Sequence, residues 1–173
     1  MVDVQKGLDD PCWGSRNNPD TEEKISDLLT YWRHAALPVF HVRHLSTEPD
    51  SPLRPGTAGS EIKDVVRSRP DEPVIEKNVN SAFIGTDLEA RLRDLNVDTV
   101  VVTGLTTDHC VSTTVRMAGN LGFDTYLVSD ATATFDRVGP GGKLHSADSI
   151  HEIALVELHE EFATIVTTAE ILS

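Results

Sequence analysis

The feature that most constrains this chain is Thr99-Val100-Val101-Val102-Thr103-Gly104, a β-branched run closed by a glycine. A strand with apolar residues at consecutive positions offers no polar face to water, so it belongs in the middle of a parallel sheet covered on both sides. Shorter runs at Val39–Val42, Val74–Ile75, Thr125–Val128 and Thr164–Val166 read as further strands, and Met1–Val4 as a first strand abbreviated at its start. Helical patterns separate these runs, which predicts an α/β fold with a parallel sheet between two helical layers.

The helices announce themselves through caps and stripes. Asn18 followed by Pro19 reads as an N-cap with proline at the first helical position, and Ile25, Leu28, Leu29, Trp32 and Ala36 follow as one apolar stripe. Thr86-Asp87-Leu88-Glu89 matches a capping box ahead of Leu88, Leu92 and Leu95. Two more helices are predicted, from about Cys110 to Asn120 and from about Ala147 to Leu158, the latter burying Ile150, Ile153, Ala154 and Leu158. At 173 residues the whole chain, 1–173, fits a single domain. The loops Cys12–Asn18, Ser46–Gly59 and Thr132–Gly142 are long enough to wall a pocket.

Charge narrows the partners. Fifteen Lys and Arg against 28 Asp and Glu give a formal charge of −13, which repels phosphate backbones and anionic lipid, so neither nucleic acid nor a membrane is expected as partner. A small-molecule substrate is the expected partner instead. With no run of about 18 apolar residues and no basic, apolar leader, the expected location is the cytoplasm. The two cysteines, Cys12 and Cys110, lack CxxC spacing, so neither a disulfide scaffold nor structural zinc is expected.

In an open parallel sheet, ligands bind beyond the carboxyl ends of the strands. Three reactive side chains fall there: Asp3 after the first strand, Lys77 after Val74-Ile75-Glu76, and Cys110 on the turn that follows Gly104. A helix N-terminus and a nearby lysine both favour a thiolate, so Cys110 is expected to titrate low and to label fast at neutral pH. The backbone N–H groups of Thr106 and Cys110 could converge on a developing oxyanion. Each residue also has an ordinary reading: Cys110 as a small buried hydrophobe, Asp3 as a turn residue, Lys77 as a surface charge.

Three segments tip that balance together. Val2-Asp3-Val4-Gln5-Lys6-Gly7, Glu76-Lys77-Asn78-Val79-Asn80-Ser81-Ala82-Phe83 and Val101-Val102-Thr103-Gly104-Leu105-Thr106-Thr107-Asp108-His109-Cys110-Val111 resemble the three signatures of the isochorismatase-like cysteine hydrolases, a family that includes the nicotinamidases. The resemblance runs in order through Asp130-Ala131-Thr132-Ala133-Thr134-Phe135 to the last amphipathic helix. It implies a three-layer α/β/α fold with a mostly parallel six-stranded sheet, an Asp-Lys-Cys triad at Asp3, Lys77 and Cys110, and a cis peptide between Leu105 and Thr106. It further implies a homodimer or homotetramer, and hydrolysis of an amide or related C–N bond without a cofactor. The alternatives are vinyl-ether hydrolysis of the isochorismatase type, which needs no cysteine nucleophile, and a non-catalytic binding protein that keeps the fold.

The chain departs from the metal-dependent nicotinamidases, which it otherwise resembles, at His41-Val42-Arg43-His44, where Val42 stands at an expected ligand carboxylate. His41 and His44 are an odd number of residues apart and so face opposite sides of a strand, and no metal is expected. His44 can border the pocket, while His41 reads as structural. Trp13 and Arg16 could supply an aromatic wall and a cation for an anionic or planar substrate, or could pack. Phe83 and Phe135 could contact substrate or fill the core, and His109 could touch substrate or face solvent. Two other motifs fail: Gly139-Pro140-Gly141-Gly142-Lys143 lacks the spacing of a phosphate-binding loop and reads as a turn, and Ser81 is not in a GxSxG elbow.

Overall fold

The computed structural model describes residues 1–173. Its strands are β1 (His41–His44), β2 (Val74–Lys77), β3 (Thr99–Leu105), β4 (Asp124–Ala133), β5 (Arg137–Val138), β6 (Leu144–His145) and β7 (Thr164–Val166). Its helices are α1 (Thr21–His34), α2 (Leu88–Asp94), α3 (Ser112–Asn120), α4 (Ala147–Leu158) and α5 (Thr168–Leu172).

The β1–β2 pair and the β3–β4–β7 group are each parallel. The first residues of the chain join them. Val2 bridges in parallel to Val42 on one side and Gly104 on the other, its N–H donating to the Thr103 carbonyl at 2.8 Å and its carbonyl accepting from Leu105 N–H at 2.9 Å. Counting this short segment, the sheet runs β2, β1, residues 1–4, β3, β4, β7. The segment stops because Asp3 adopts φ 52°, a left-handed conformation that no strand continues through.

Helices cover both faces, giving the expected three layers. Ile25, Leu28 and Leu29 of α1 pack with Val4, Leu105 and Val128, and Ile171 of α5 joins them. On the other face Val111, Val115 and Leu158 pack against Val2, Val102 and Leu127, and Leu88 and Leu92 of α2 close over Val42 and Ile75.

Gly104 is where the central strand and the chain's first residues meet. A Cβ there would stand 1.9 Å from the Val2 carbonyl oxygen, and φ is +125°. Gly104→Ala is therefore expected to lose about 3 kcal/mol or more through strain and overpacking together. A urea melt of the variant checks it, and an unchanged midpoint would contradict the close approach.

Several local expectations need correction. Asn18 does not cap α1; the N-cap is Asp20, while the Asn18 amide donates to the Ser129 and Thr132 carbonyls and ties the preceding loop to β4. Ala36 lies beyond the helix and is exposed. The Thr86 capping box does not form: the N-cap is Asp87, and the Thr86 hydroxyl accepts from the Leu88 N–H at 3.4 Å while donating to the Ala82 carbonyl. The helix expected from Cys110 begins at Ser112, after a π-helical turn over Thr107–Val111. In α4 the buried residues are Ala147, Ala154 and Leu158, and Ile153 is 55% exposed, so the buried stripe is narrower than the apolar residues suggest. The turn at Gly139–Lys143 joins an antiparallel hairpin, β5 with β6, that the sequence did not announce.

Candidate active site

The three reactive side chains expected at strand ends come together. Asp3 and Lys77 are both buried, and Lys77 Nζ donates to Asp3 Oδ2 at 2.5 Å. Charges removed from water to this degree persist only when paired, so each depends on the other. The second carboxylate oxygen, Oδ1, has no hydrogen-bond partner.

Parallel register sets His44 opposite Lys77, and Lys77 Nζ lies 3.2 Å from His44 Nδ1. Gln5 fixes the end of β1. Its Oε1 accepts from His44 N–H at 2.8 Å, while its Nε2 donates to the His44 carbonyl at 2.9 Å and to the Ser60 carbonyl at 3.0 Å. Gln5 is fully buried, and its role was missed in the sequence; its place two residues after Asp3 was the only available hint.

Cys110 rides the π-helical turn, its thiol donating weakly to Asn80 Oδ1 at 3.7 Å. A carboxylate oxygen of Asp3, a ring nitrogen of His44 and the Cys110 sulfur all lie within 4.8 Å of one another. Thr106, behind the turn, is buried, and the Leu105–Thr106 peptide is cis. Its carbonyl accepts from His109 and Val111 N–H, whereas its own N–H makes no hydrogen bond within the chain. That leaves a free donor one turn from the sulfur.

The thiol's acidity runs against expectation. Burial, followed by the negative charge of Asp3, pushes the Cys110 thiol up to about 12, and Lys77 only partly opposes them. Burial also raises the Asp3 carboxyl despite Lys77, and burial with the Lys77 charge lowers the His44 imidazole. The resting site therefore holds a protonated thiol and a neutral imidazole beside the Asp3–Lys77 pair, and not the poised thiolate expected from the helix end and the lysine. Desolvation and the Asp3 charge together outweigh the Lys77 ammonium.

The other candidates are spread more widely. Arg16 is not free to meet an anionic substrate, since its guanidinium forks onto Glu22 at 2.8 and 2.5 Å. Trp13 donates its indole N–H to the Gly7 carbonyl at 2.8 Å and stacks on Phe135, with ring centroids 6.0 Å apart. Phe135 is 3% exposed and belongs to the core rather than to a pocket wall. Phe83 stacks on Phe123, and His109 turns outward beside Asp108. Asp108 itself accepts from Thr134 and Arg137, which ties the Cys110 turn to the loop after β4. His41, read as structural, is fully buried and meets Glu72 at 2.8 Å.

An apolar cavity of about 380 Å³ lies elsewhere. It runs between the amino ends of β1 and β3 beside Met1, lined by Phe40, Val100 and Phe83, and contains none of the polar cluster.

Glu22 also accepts from Lys63 at 2.6 Å, and Lys63 holds Asp9 as well, so one half-buried carboxylate joins α1 to the loops on both sides. Burial alone would raise the Glu22 carboxyl, but Arg16 and Lys63 outweigh it and hold it down to about 2. A depressed carboxyl stabilises the fold above its ordinary value of 4.5 and loses that contribution as pH falls towards 2. Glu22→Gln is expected to cost about 1–3 kcal/mol at neutral pH by removing the charged partner of Arg16 while Lys63 keeps Asp9, and to flatten the acid limb of a stability–pH profile. Thermal melts from pH 2 to 7 read both.

Comparison with known proteins decides the family. The family model for the Isochorismatase domain matches residues 1–170. The chain belongs to the isochorismatase family. Within the family it is 50% identical over 173 residues to the uncharacterized protein YrdC of Bacillus subtilis, covering all of this chain and 92% of that one. It is 34% identical over 148 residues to Nicotinamidase 3 of Arabidopsis thaliana, covering 78% of this chain and 69% of the plant protein. Among solved structures, an isochorismatase-family protein from Chromobacterium violaceum superposes with a TM-score of 0.95 at 46% identity, over 99% of this chain and 89% of the other. The isochorismatase fold thus accounts for the layered sheet. No helix is long and apolar enough to cross a membrane.

Proposed function

We propose that this chain hydrolyses a small-molecule amide or related C–N bond through a thioester on Cys110. The observation that carries the reading is the buried Asp3–Lys77 pair beside the Cys110 thiol, at the end of the sheet where ligands bind. Membership of a family with a nicotinamidase among its relatives supports amide chemistry over vinyl-ether hydrolysis.

As the substrate carbonyl approaches, Asp3 takes the thiol proton and the sulfur attacks the carbonyl carbon. The oxygen, now an anion, is received by the N–H groups of Thr106 and Cys110. Asp3 returns its proton to the departing nitrogen, the C–N bond breaks, and a thioester remains. Asp3 next takes a proton from water, the hydroxide adds to the thioester, and the carboxylic acid leaves as the thiol is restored. Lys77 holds Asp3 in place and tempers its charge, and no step uses a cofactor or metal.

A raised thiol pKa suits this scheme, because proton transfer coupled to attack avoids a standing thiolate open to oxidation. A homodimer or homotetramer in the cytoplasm completes the proposal, and light scattering reads its mass. The function itself is tested with a panel of small amides, lactams and carbamoyl compounds, assayed for amine release. Release of amine and acid in equal amounts from at least one compound is expected; cleavage of vinyl ethers alone would reverse the reading.

A further inference from the structure

Lys77 ends β2 with its side chain wholly withdrawn from water. An ammonium carries three N–H groups, and Asp3 Oδ2 accepts one of them at 2.5 Å. A single acceptor sets the distance of a lysine head but leaves its flexible stem free to swing about the contact. His44 supplies a second acceptor. Its Nδ1 lies 3.2 Å from Lys77 Nζ, and a nitrogen that faces an ammonium can only accept, so the ring proton belongs on Nε2.

The frame around this contact is clamped on both strands. Gln5 accepts from the His44 N–H and donates to the His44 carbonyl, while the Leu45 N–H donates to the Lys77 carbonyl at 2.7 Å. The half-buried imidazole and the buried ammonium are therefore held opposite one another by backbone that neither side chain controls.

We infer that His44 is a positioning residue of the proposed reaction: its neutral imidazole accepts from Lys77 and keeps the ammonium aimed at Asp3, and protonation of the ring in acid undoes that aim. The inference rests on the proposed function, in which Asp3 is the base that Lys77 serves. A protonated ring carries N–H on both nitrogens, so Nδ1 no longer accepts and a second cation stands against Lys77. Burial and then the Lys77 charge lower the His44 imidazole from its ordinary 6.5, while the Asp3 charge and the Val79 carbonyl oppose them. Those groups, with the Cys110 thiol on the π-helical turn, face the ring. The ring is thus neutral at pH 7, and the contact is lost only as pH falls through the lowered value.

The test compares three forms of the full chain with whichever amide of the panel the parent cleaves. His44→Leu keeps bulk and offers no acceptor; His44→Asn puts an amide oxygen where Nδ1 stands and does not titrate. The leucine variant is expected to lose about 10- to 100-fold in kcat, the scale of a hydrogen bond to a charged group, with KM little changed. The asparagine variant is expected to recover turnover to within about fivefold of the parent at pH 7.5, and to hold it to lower pH than the parent does. Circular dichroism confirms that each variant is folded. Equal losses in the two variants, or an acid limb that the asparagine variant leaves in place, overturn the role. A second measurement needs no substrate. Nitrogen-15 NMR at pH 7.5, with His44 assigned by its absence from the asparagine variant, is expected to show a neutral ring protonated on Nε2 whose Nδ1 signal moves in Lys77→Met. A ring protonated on Nδ1 overturns the inference as well, whereas a parent that cleaves no amide overturns the proposed function and leaves the tautomer to decide the His44–Lys77 contact.

Discussion

Cys110→Ala is expected to lower amide hydrolysis by about 10⁴-fold or more, the scale on which removal of a covalent nucleophile acts. The fold should survive. The side chain is only partly buried, its one polar contact is the long thiol contact to Asn80, and the turn it occupies is anchored elsewhere by Val111 and Thr106. Thermal melts should therefore shift little while amine release disappears. Turnover at the parental rate would remove sulfur from the chemistry altogether.

Asp3→Asn is expected to move two observables in opposite directions. Turnover should fall by about 10³–10⁴-fold, because the amide can neither take the thiol proton nor protonate the leaving nitrogen. Alkylation of Cys110 should meanwhile become faster. In the parent protein burial and the Asp3 charge hold the thiol up to about 12, with Lys77 pulling the other way. Removing the carboxylate lowers the thiol pKa, and each unit of that fall multiplies the thiolate present at neutral pH by about ten. Iodoacetamide kinetics at pH 7, with Cys12 replaced by serine to leave one thiol, read the change. The variant also leaves the Lys77 ammonium buried without its partner, so a stability loss of about 3–5 kcal/mol is expected, and the rates belong at a temperature where circular dichroism reports a folded chain. A labelling rate that falls along with turnover would contradict the charge arrangement.

What could be read from sequence divides along the range of the forces involved. The strand Thr99–Leu105 and the helix Ala147–Leu158 were legible because a run of β-branched residues or a spaced apolar set is a local fact. Asp3, Lys77 and Cys110 were legible as strand-end residues because a parallel sheet gathers its carboxyl ends on one rim. Arg16 misled because its partner Glu22 lies on the next helix, and nothing in the loop reveals that its charge is already met. Phe135 and Trp13 follow the packing alternative that the sequence left open, the partly buried indole stacking on the buried Phe135 ring. Ile153 shows that an apolar residue at a plausible spacing does not by itself choose the buried face, which here carries Ala147, Ala154 and Leu158. α5 escaped notice although Thr167 and Glu170 form a working capping box, because only five helical residues follow it.

The thiol's acidity is the most instructive miss. A helix end and a lysine were visible in the sequence, and both favour a thiolate. Burial and the nearness of Asp3 are properties of the folded pocket, and they prevail. The proposed role of Asp3 as the base that takes the thiol proton is the one the sequence already suggested; what changes is that the proton is still on the sulfur until then.

Acid-quenched intact-mass analysis during turnover tests the central idea most directly. With a cleavable amide, the parent protein is predicted to carry one acyl group, mapped by peptide digestion to the Cys110-containing fragment and absent from Cys110→Ala. Steady release of amine with no adduct on that fragment, persisting in the alanine variant, would contradict it.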